Sequence, residues 1–493
     1  MGVSYHLGLM SLAAGFAGNF QLGYLASVLT QPYIAIEQYV NSSVRARTGV
    51  DIDEDGLKML MSALNIVNPL AAIVGQMMAL SLCNRLGRKN TAIIGCLMNF
   101  PGILLSLFAK WLHPAYEVLF VGRLIWSVAV GILVVNQTIW LVEAAPAKHR
   151  GSVSSLQEVF AALGGLITQA AGVPFSSDEL WPLMFAFPLL VNVLCIIAFY
   201  MVPESPQFLL FQRNSQTEAK KAIAKYHGLT DEYLISEQMN LVAAGGESED
   251  AQEKGKAEGS KTHAMDVMFR PWKAKDDVSR VLRYGAWVGL MVKLAYLFTG
   301  TRCIRSFNTF VLFELGKWSY LDARVGSLAI GILRLPVTLI PVFFVDRIGR
   351  RPLLLSSAGS SVLFLIMIMI CIFLGEDFKI GTLLGVTCLL TVNSIGLGSL
   401  ARFYAAELVP HKLLLKSVSV LAIIETLFRI ALEFSFYPAA HFIGAHFFSI
   451  FILPSIFFFV LIYLYCPETK GRGINDVLNK MASDKGVEVT FQV

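Results

Sequence analysis

The chain has 493 residues, 55% hydrophobic and only 15% charged, with mean hydropathy +0.61 and a net charge of +5. Soluble domains carry about a quarter charged residues, so this composition excludes a soluble enzyme or a nucleic-acid-binding protein and indicates an integral membrane protein. Lipid in turn excludes open sheets and leaves helices, which satisfy their own backbone.

Apolar runs of about 20 residues, long enough to cross a bilayer, lie at 8–30, 59–83, 91–112, 115–142, 152–174, 181–202, 283–313, 325–345, 352–374, 380–408, 413–440 and 443–466. They predict twelve helical spans, numbered here in that order. Seven uncharged residues precede span 1, too few for a secretory leader, so span 1 is retained. Position 6 is His6, not Ser or Thr, so the Gly2 start is no myristoylation site. The loop after span 1 carries the glycosylation sequon Asn41-Ser42-Ser43. Asn136-Gln137-Thr138 fits the same pattern but lies inside span 4, beyond reach of glycosylation.

Loops with Arg85, Arg88 and Lys89, with Lys148 and Arg150, and with Arg347, Arg350 and Arg351 all follow even-numbered spans. The positive-inside rule makes them cytoplasmic, and both termini with them. The expected location is multi-pass in the plasma membrane. The expected units are a six-helix bundle at 1–202, a cytoplasmic insert at 203–282, a second bundle at 283–466 and a cytoplasmic tail at 467–493. Within the insert, 245–261 is too rich in glycine and charge to fold. The last residues, Phe491-Gln492-Val493, fit a weak PDZ-type contact. The seven cysteines lie in or beside spans, so no disulfide framework is indicated. No His/Cys cluster has metal spacing and no nucleophile–base set appears, so no metal, cofactor or catalytic residue is expected.

The two halves repeat. "NRLGRK" (84–89) returns as "DRIGRR" (346–351), and "PESP" (203–206) as "PETK" (467–470). Glu143 and Glu407 share one offset with Glu204 and Glu468. Parallel six-span repeats around a midplane site form a transporter architecture. At these motifs the chain resembles the sugar porter branch of the major facilitator superfamily, of the facilitative glucose-transporter type. "EAAPAKHRG" (143–151), "PESPQFLL" (203–210), "PETKGRG" (467–473) and "FQLGY" (20–24) carry the likeness along nearly the whole length. The resemblance implies a twelve-helix, all-α facilitator fold and transport of a small solute by alternating access, without chemistry. By its motifs, Gln21 faces the solute. Arg85, Arg88, Glu143, Arg150 and Glu204, with Arg347, Arg350, Arg351, Glu407 and Glu468, form a cytoplasmic gate latching the half-bundles in one state. Solvated, topology-setting charge is the other reading of these groups.

The sequence departs from the family where the sugar is read. Span 7 has "YLFTGTRC" in place of the family's glutamines and asparagine. Charges stand at the other pocket positions: Glu158 in span 5, Arg302 in span 7, Arg334 in span 8, Arg402 in span 10, Glu425 and Arg429 in span 11. Glu425 and Arg429 are spaced i, i+4, acid first, and Glu433 continues their face. A charge facing lipid costs about 2.5–3.5 kcal/mol even on a lenient scale, so these groups should turn inward. The arginine excess favours an anionic sugar derivative or organic anion, and a mutually satisfied network without a solute is the alternative. A one-residue slip in span 7 would change which groups are wet. Span 1 holds no acid, which argues for a facilitator. An ordinary hexose carrier and a non-transporting sensor remain as further readings.

Overall fold

The structure is a computed structural model that describes residues 4–146, 150–240, 277–408, 411–470 and 474–484. Among them there is no strand. Ten helices are long and apolar enough to cross a membrane. Span 1 joins them as Tyr5–Gly15, a π-turn at Phe16–Phe20 and Gln21–Ser27, and span 11 as His411–Ile443. The twelve-helix bundle expected from the apolar runs is therefore present.

Two spans are broken, which hydropathy does not register. Span 7 runs Asp277–Phe298, turns at Gly300 (φ +70°) and resumes as Thr301–Ser306. A Cβ at Gly300 would lie 2.9 Å from the Phe451 ring, so glycine serves both the left-handed turn and the close approach of span 12. The break sits beside Arg302. Span 10 divides at Gly396 into Lys379–Ile395 and Leu397–Glu407. There Ser357 Oγ accepts from Leu397 N at 3.2 Å, supplying a partner that lipid cannot.

Core packing respects the repeat. One apolar cluster draws on residues from Leu7 to Tyr226, and two others on residues from Val281 to Ala482. None mixes the halves, so each bundle buries an apolar core of its own. From the insert, helix Gln216–His227 packs Ala219, Ala222 and Ile223 against Leu209. In the tail, helix Ile474–Asp484 buries Val477, Leu478 and Met481 in the cluster that includes Val281 and Ala286 of span 7. The 245–261 stretch and Phe491–Val493 lie outside the described residues, as do the side chains of Arg150, Arg402 and Glu407.

Candidate functional site

The unusual charges meet inside the bundle. Glu425 accepts from Arg302 Nη1 at 2.7 Å and from Lys293 Nζ at 3.2 Å. The Arg302 guanidinium also lies over the Tyr296 ring, 5.0 Å from its centre. Glu158, fully enclosed, accepts from Arg334 Nη2 at 2.5 Å, and Arg305 Nη1 stands 3.7 Å away. Arg334 Nε donates to Ser394 Oγ at 2.7 Å. Arg429 Nε donates to Glu433 at 2.7 Å. These are one field, because Glu158 and Glu433 both lie within electrostatic reach of Arg302. Arg123 of span 4, only 2% exposed, feels Glu433, and its Nε and Nη1 make no hydrogen bond. Among the described residues, the five cations Lys293, Arg302, Arg305, Arg334 and Arg429 thus face the three carboxylates Glu158, Glu425 and Glu433.

Among the described ion pairs, Glu425 is held by the two span 7 cations, and Arg429, spaced i, i+4 from it, by Glu433. Lys293 was missed by the sequence reading, although a lone lysine in an apolar span carries the same signal as Arg302. Gln21 does not join the cluster. Its Nε2 donates to Pro188 O at 3.3 Å, within the first bundle. A different amide group stands in the first half: Asn19 Nδ2 donates to Gln137 Oε1 at 2.7 Å and to Gln157 Oε1 at 3.4 Å, and Thr138 Oγ1 donates to Gln157 at 3.1 Å. Neutral amides offer both donors and acceptors to hydroxyl groups. In the sequence Gln137 stands only within the Asn136-Gln137-Thr138 pattern, which gives no sign of this grouping.

At the end bearing the basic loops, the repeat motifs build matching anion seats. Glu204 accepts from the backbone N of Arg88 (2.9 Å), Lys89 (3.1 Å) and Ser205 (2.8 Å), at the N-terminus of helix Arg88–Phe108. Glu468 accepts from Arg350 N (2.9 Å) and Arg351 N (3.0 Å), at the N-terminus of helix Arg350–Leu374. Free helix N–H groups favour an anion there. Gly87 (φ +90°) and Gly349 (φ +104°) turn the chain into these seats. A Cβ on either would approach the carboxylate oxygen, at 2.4 Å and 2.8 Å respectively. Burial pushes the Glu204 carboxyl up, further than its backbone donors pull it down. Burial also pushes Glu468 up, but the N–H groups of Arg350, Lys470, Arg351 and Thr469 outweigh it and hold the carboxyl below the ordinary range.

Arg88 reaches Glu143 at 2.6 Å, and Ser205 Oγ donates to the same carboxylate. These contacts join elements of one half. Among the described residues, these motif contacts brace each bundle in this conformation, and the latch expected for one state also involves Arg150 and Glu407, whose side chains lie outside the described residues. Arg351 donates to Tyr463 O at 2.7 Å, also within its own half, while Arg85 and Arg347 are exposed.

Hydrogen bonds between halves occur near the basic loops, where Ser152 Oγ donates to Val342 O at 3.1 Å, and in greater number at the far end. Thr30 Oγ1 donates to Ser306 O at 2.6 Å, Tyr320 OH to Gln31 O at 2.6 Å, and Arg324 Nη2 to Gly172 O at 2.6 Å and to Val173 O. A crevice of about 30 Å³ between Leu29, Thr30, Glu37, Ser306 and Phe310 remains there, room for about one water molecule. Asn41 also lies at this end, on helix Tyr33–Thr48, its Oδ1 accepting from Ile52 N at 3.1 Å.

Comparison with known proteins agrees with this architecture. The family profile described as Sugar (and other) transporter matches residues 7–480. The facilitated glucose transporter member 3 of Oryctolagus cuniculus is 25% identical over 468 residues, covering 93% of this chain and 89% of the relative. Member 1 of Gallus gallus is 24% identical over 474 residues, covering 95% and 92%. Among solved structures, the proton:xylose symporter XylE bound to 6-bromo-6-deoxy-D-glucose superposes with TM-score 0.77 at 18% identity, over 97% of this chain and 99% of that one. A helical bundle of this topology, matched by the profile along almost its full length, is a multi-pass membrane transporter: the chain belongs to the sugar porter family of the major facilitator superfamily.

Proposed function

We propose that the protein is a facilitative carrier of a small anionic solute, a sugar acid or another hydroxylated organic anion, working by alternating access. The observation that carries this reading is the excess of enclosed cations over carboxylates around Glu158 and Glu425. A buried surplus of positive charge is costly unless an anion joins it. The Asn19, Gln137 and Gln157 amides supply hydroxyl-reading groups in the opposite half. A sugar-derived anion uses both, whereas a plain hexose uses the amides alone. The glucose-transporter names of the relatives support a sugar-like skeleton.

On this reading residues 1–202 and 283–466 rock against each other, and the conformation described here is closed at the far end. Placing the basic loops in the cytoplasm puts the insert and tail there, makes the far end external and sets Asn41 outside the plasma membrane as a glycan acceptor. The anion seats and Arg88–Glu143 pair are then the cytoplasmic gate elements, stiffening each bundle as it moves. Glycosidase-sensitive mobility that disappears in Asn41→Gln tests the orientation.

The functional test is uptake into proteoliposomes of labelled D-glucuronate against labelled D-glucose. Glucuronate flux that falls at least about tenfold in Arg334→Asn or Arg302→Gln supports the proposal, such a loss being about 1.4 kcal/mol. Glucose flux indifferent to both changes would return the protein to the ordinary hexose carriers. A folded, surface-located protein that moves neither, nor other organic anions, would point to a sensor.

A further inference from the structure

The enclosed ion pairs differ in what they join. Lys293–Glu425, Arg302–Glu425 and Arg429–Glu433 each lie within the second bundle. Glu158 belongs to span 5, and its partners, Arg305 of span 7 and Arg334 of span 8, belong to the other bundle. Among the described ion pairs, these are the ones that cross between bundles. The cationic side is built for a carboxylate. Ser394 Oγ accepts a hydrogen bond from Arg334 Nε at 2.7 Å and so aims the guanidinium, leaving Nη2 to meet Glu158 at 2.5 Å, with Arg305 Nη1 at 3.7 Å. A fixed fork of guanidinium donors matches the planar geometry of a carboxylate.

We propose that Arg305, Arg334 and Ser394 form a carboxylate subsite, that Glu158 occupies it in the unloaded carrier, and that the carboxylate of a transported solute takes its place. The proposal rests on the anionic-solute reading above and adds what Glu158 does in it. With the subsite empty, two guanidinium groups would stand uncompensated in a closed interior, and the bundles could not pass through an occluded state without that cost. Glu158, as a resident counter-ion, removes the cost and lets the empty carrier return. An entering carboxylate exchanges like for like, so its net binding is modest and it can leave on the other side. In displacing Glu158 it also breaks the ion pair that spans the bundles, which favours their movement. Net flux without exchange thus depends on Glu158.

The subsite is tested on purified full-length protein with acetate as the probe and acetamide as its neutral counterpart, at equal ionic strength. Glu158→Gln is expected to melt below the wild type and to recover by about 2 °C or more in acetate. Acetamide should do nothing, the wild type should respond to neither, and Glu158→Gln with Arg334→Gln should lose the acetate response. Glu158→Asp, which keeps the charge and shortens its reach, provides a second variant should the glutamine form fail to fold, and it too should gain a response to acetate. An acetate response absent from the Glu158 variants, or equal in the wild type or the double variant, overturns the subsite. In proteoliposomes with labelled D-glucuronate, Glu158→Gln should lower uptake into empty vesicles by at least about tenfold, and exchange against internal glucuronate far less. Equal loss of both modes overturns the counter-ion role. Glucose uptake without glucuronate uptake by the wild type would sink the anionic-solute reading, while the acetate experiment still decides the subsite.

Discussion

Replacing Glu425 with glutamine removes the negative charge that holds Lys293 and Arg302 together inside the membrane. The carboxylate is 7% exposed, and its contacts at 3.2 and 2.7 Å leave little room for water. At an effective dielectric constant of about 20, each cation at about 4 Å charge separation attracts it by about 4 kcal/mol, and desolvation offsets much of this. Removing one partner from a buried ion pair costs about 3–5 kcal/mol, because the remaining charge is uncompensated. Glutamine still accepts one hydrogen bond and the stacking of Arg302 on Tyr296 survives, so the expected loss is about 3 kcal/mol. Adding Lys293→Met removes one of the stranded cations and should recover about 1 kcal/mol or more, a coupling read from a double-mutant cycle. The assay is denaturant unfolding of the detergent-solubilised protein. A loss under about 1 kcal/mol for Glu425→Gln, the range of a solvated pair, refutes an enclosed charge network and with it the enclosed positive surplus.

Gly349→Ala should cost about 1–3 kcal/mol, because alanine resists φ +104° and its methyl would crowd Glu468; a melting temperature equal to the wild type would contradict this. The two anion seats should titrate with opposite sign. Native Glu204 holds its proton above the ordinary value of 4.5, so it lowers stability as pH rises from there through its raised native value, and Glu204→Gln should flatten that fall. Native Glu468 has a value below 4.5, so it contributes stability above that pH which is lost as pH drops through the depressed value, and Glu468→Gln should remove that loss. Both are read from denaturation midpoints across pH. Arg324→Gln gives up contacts to Gly172 O and Val173 O at the far end and should raise the labelling rate of a cysteine introduced at Ser306; an unchanged rate would show that these contacts do not hold that end closed.

Much of this protein was legible in the chain itself. Hydropathy and length determined twelve helices, since lipid admits no other way to satisfy the backbone. The recurrence of "GRK" with "GRR" and of "PES" with "PET" determined the two-fold repeat, and charges in apolar spans announced an interior site. Sequence could not assign partners. Glu425 and Arg429 have good i, i+4 spacing, yet among the described ion pairs it is Lys293 and Arg302 of span 7 that hold the glutamate. Gln21 sat in a motif, and packing turned it toward Pro188, while Asn19, Gln137 and Gln157 converged from three spans with no motif to mark them. Which groups carry charge into the membrane is a property of composition and local pattern. Which charge neutralises which is decided by how the helices pack, because a buried ion pair depends on ångström-scale distances between segments far apart in the chain.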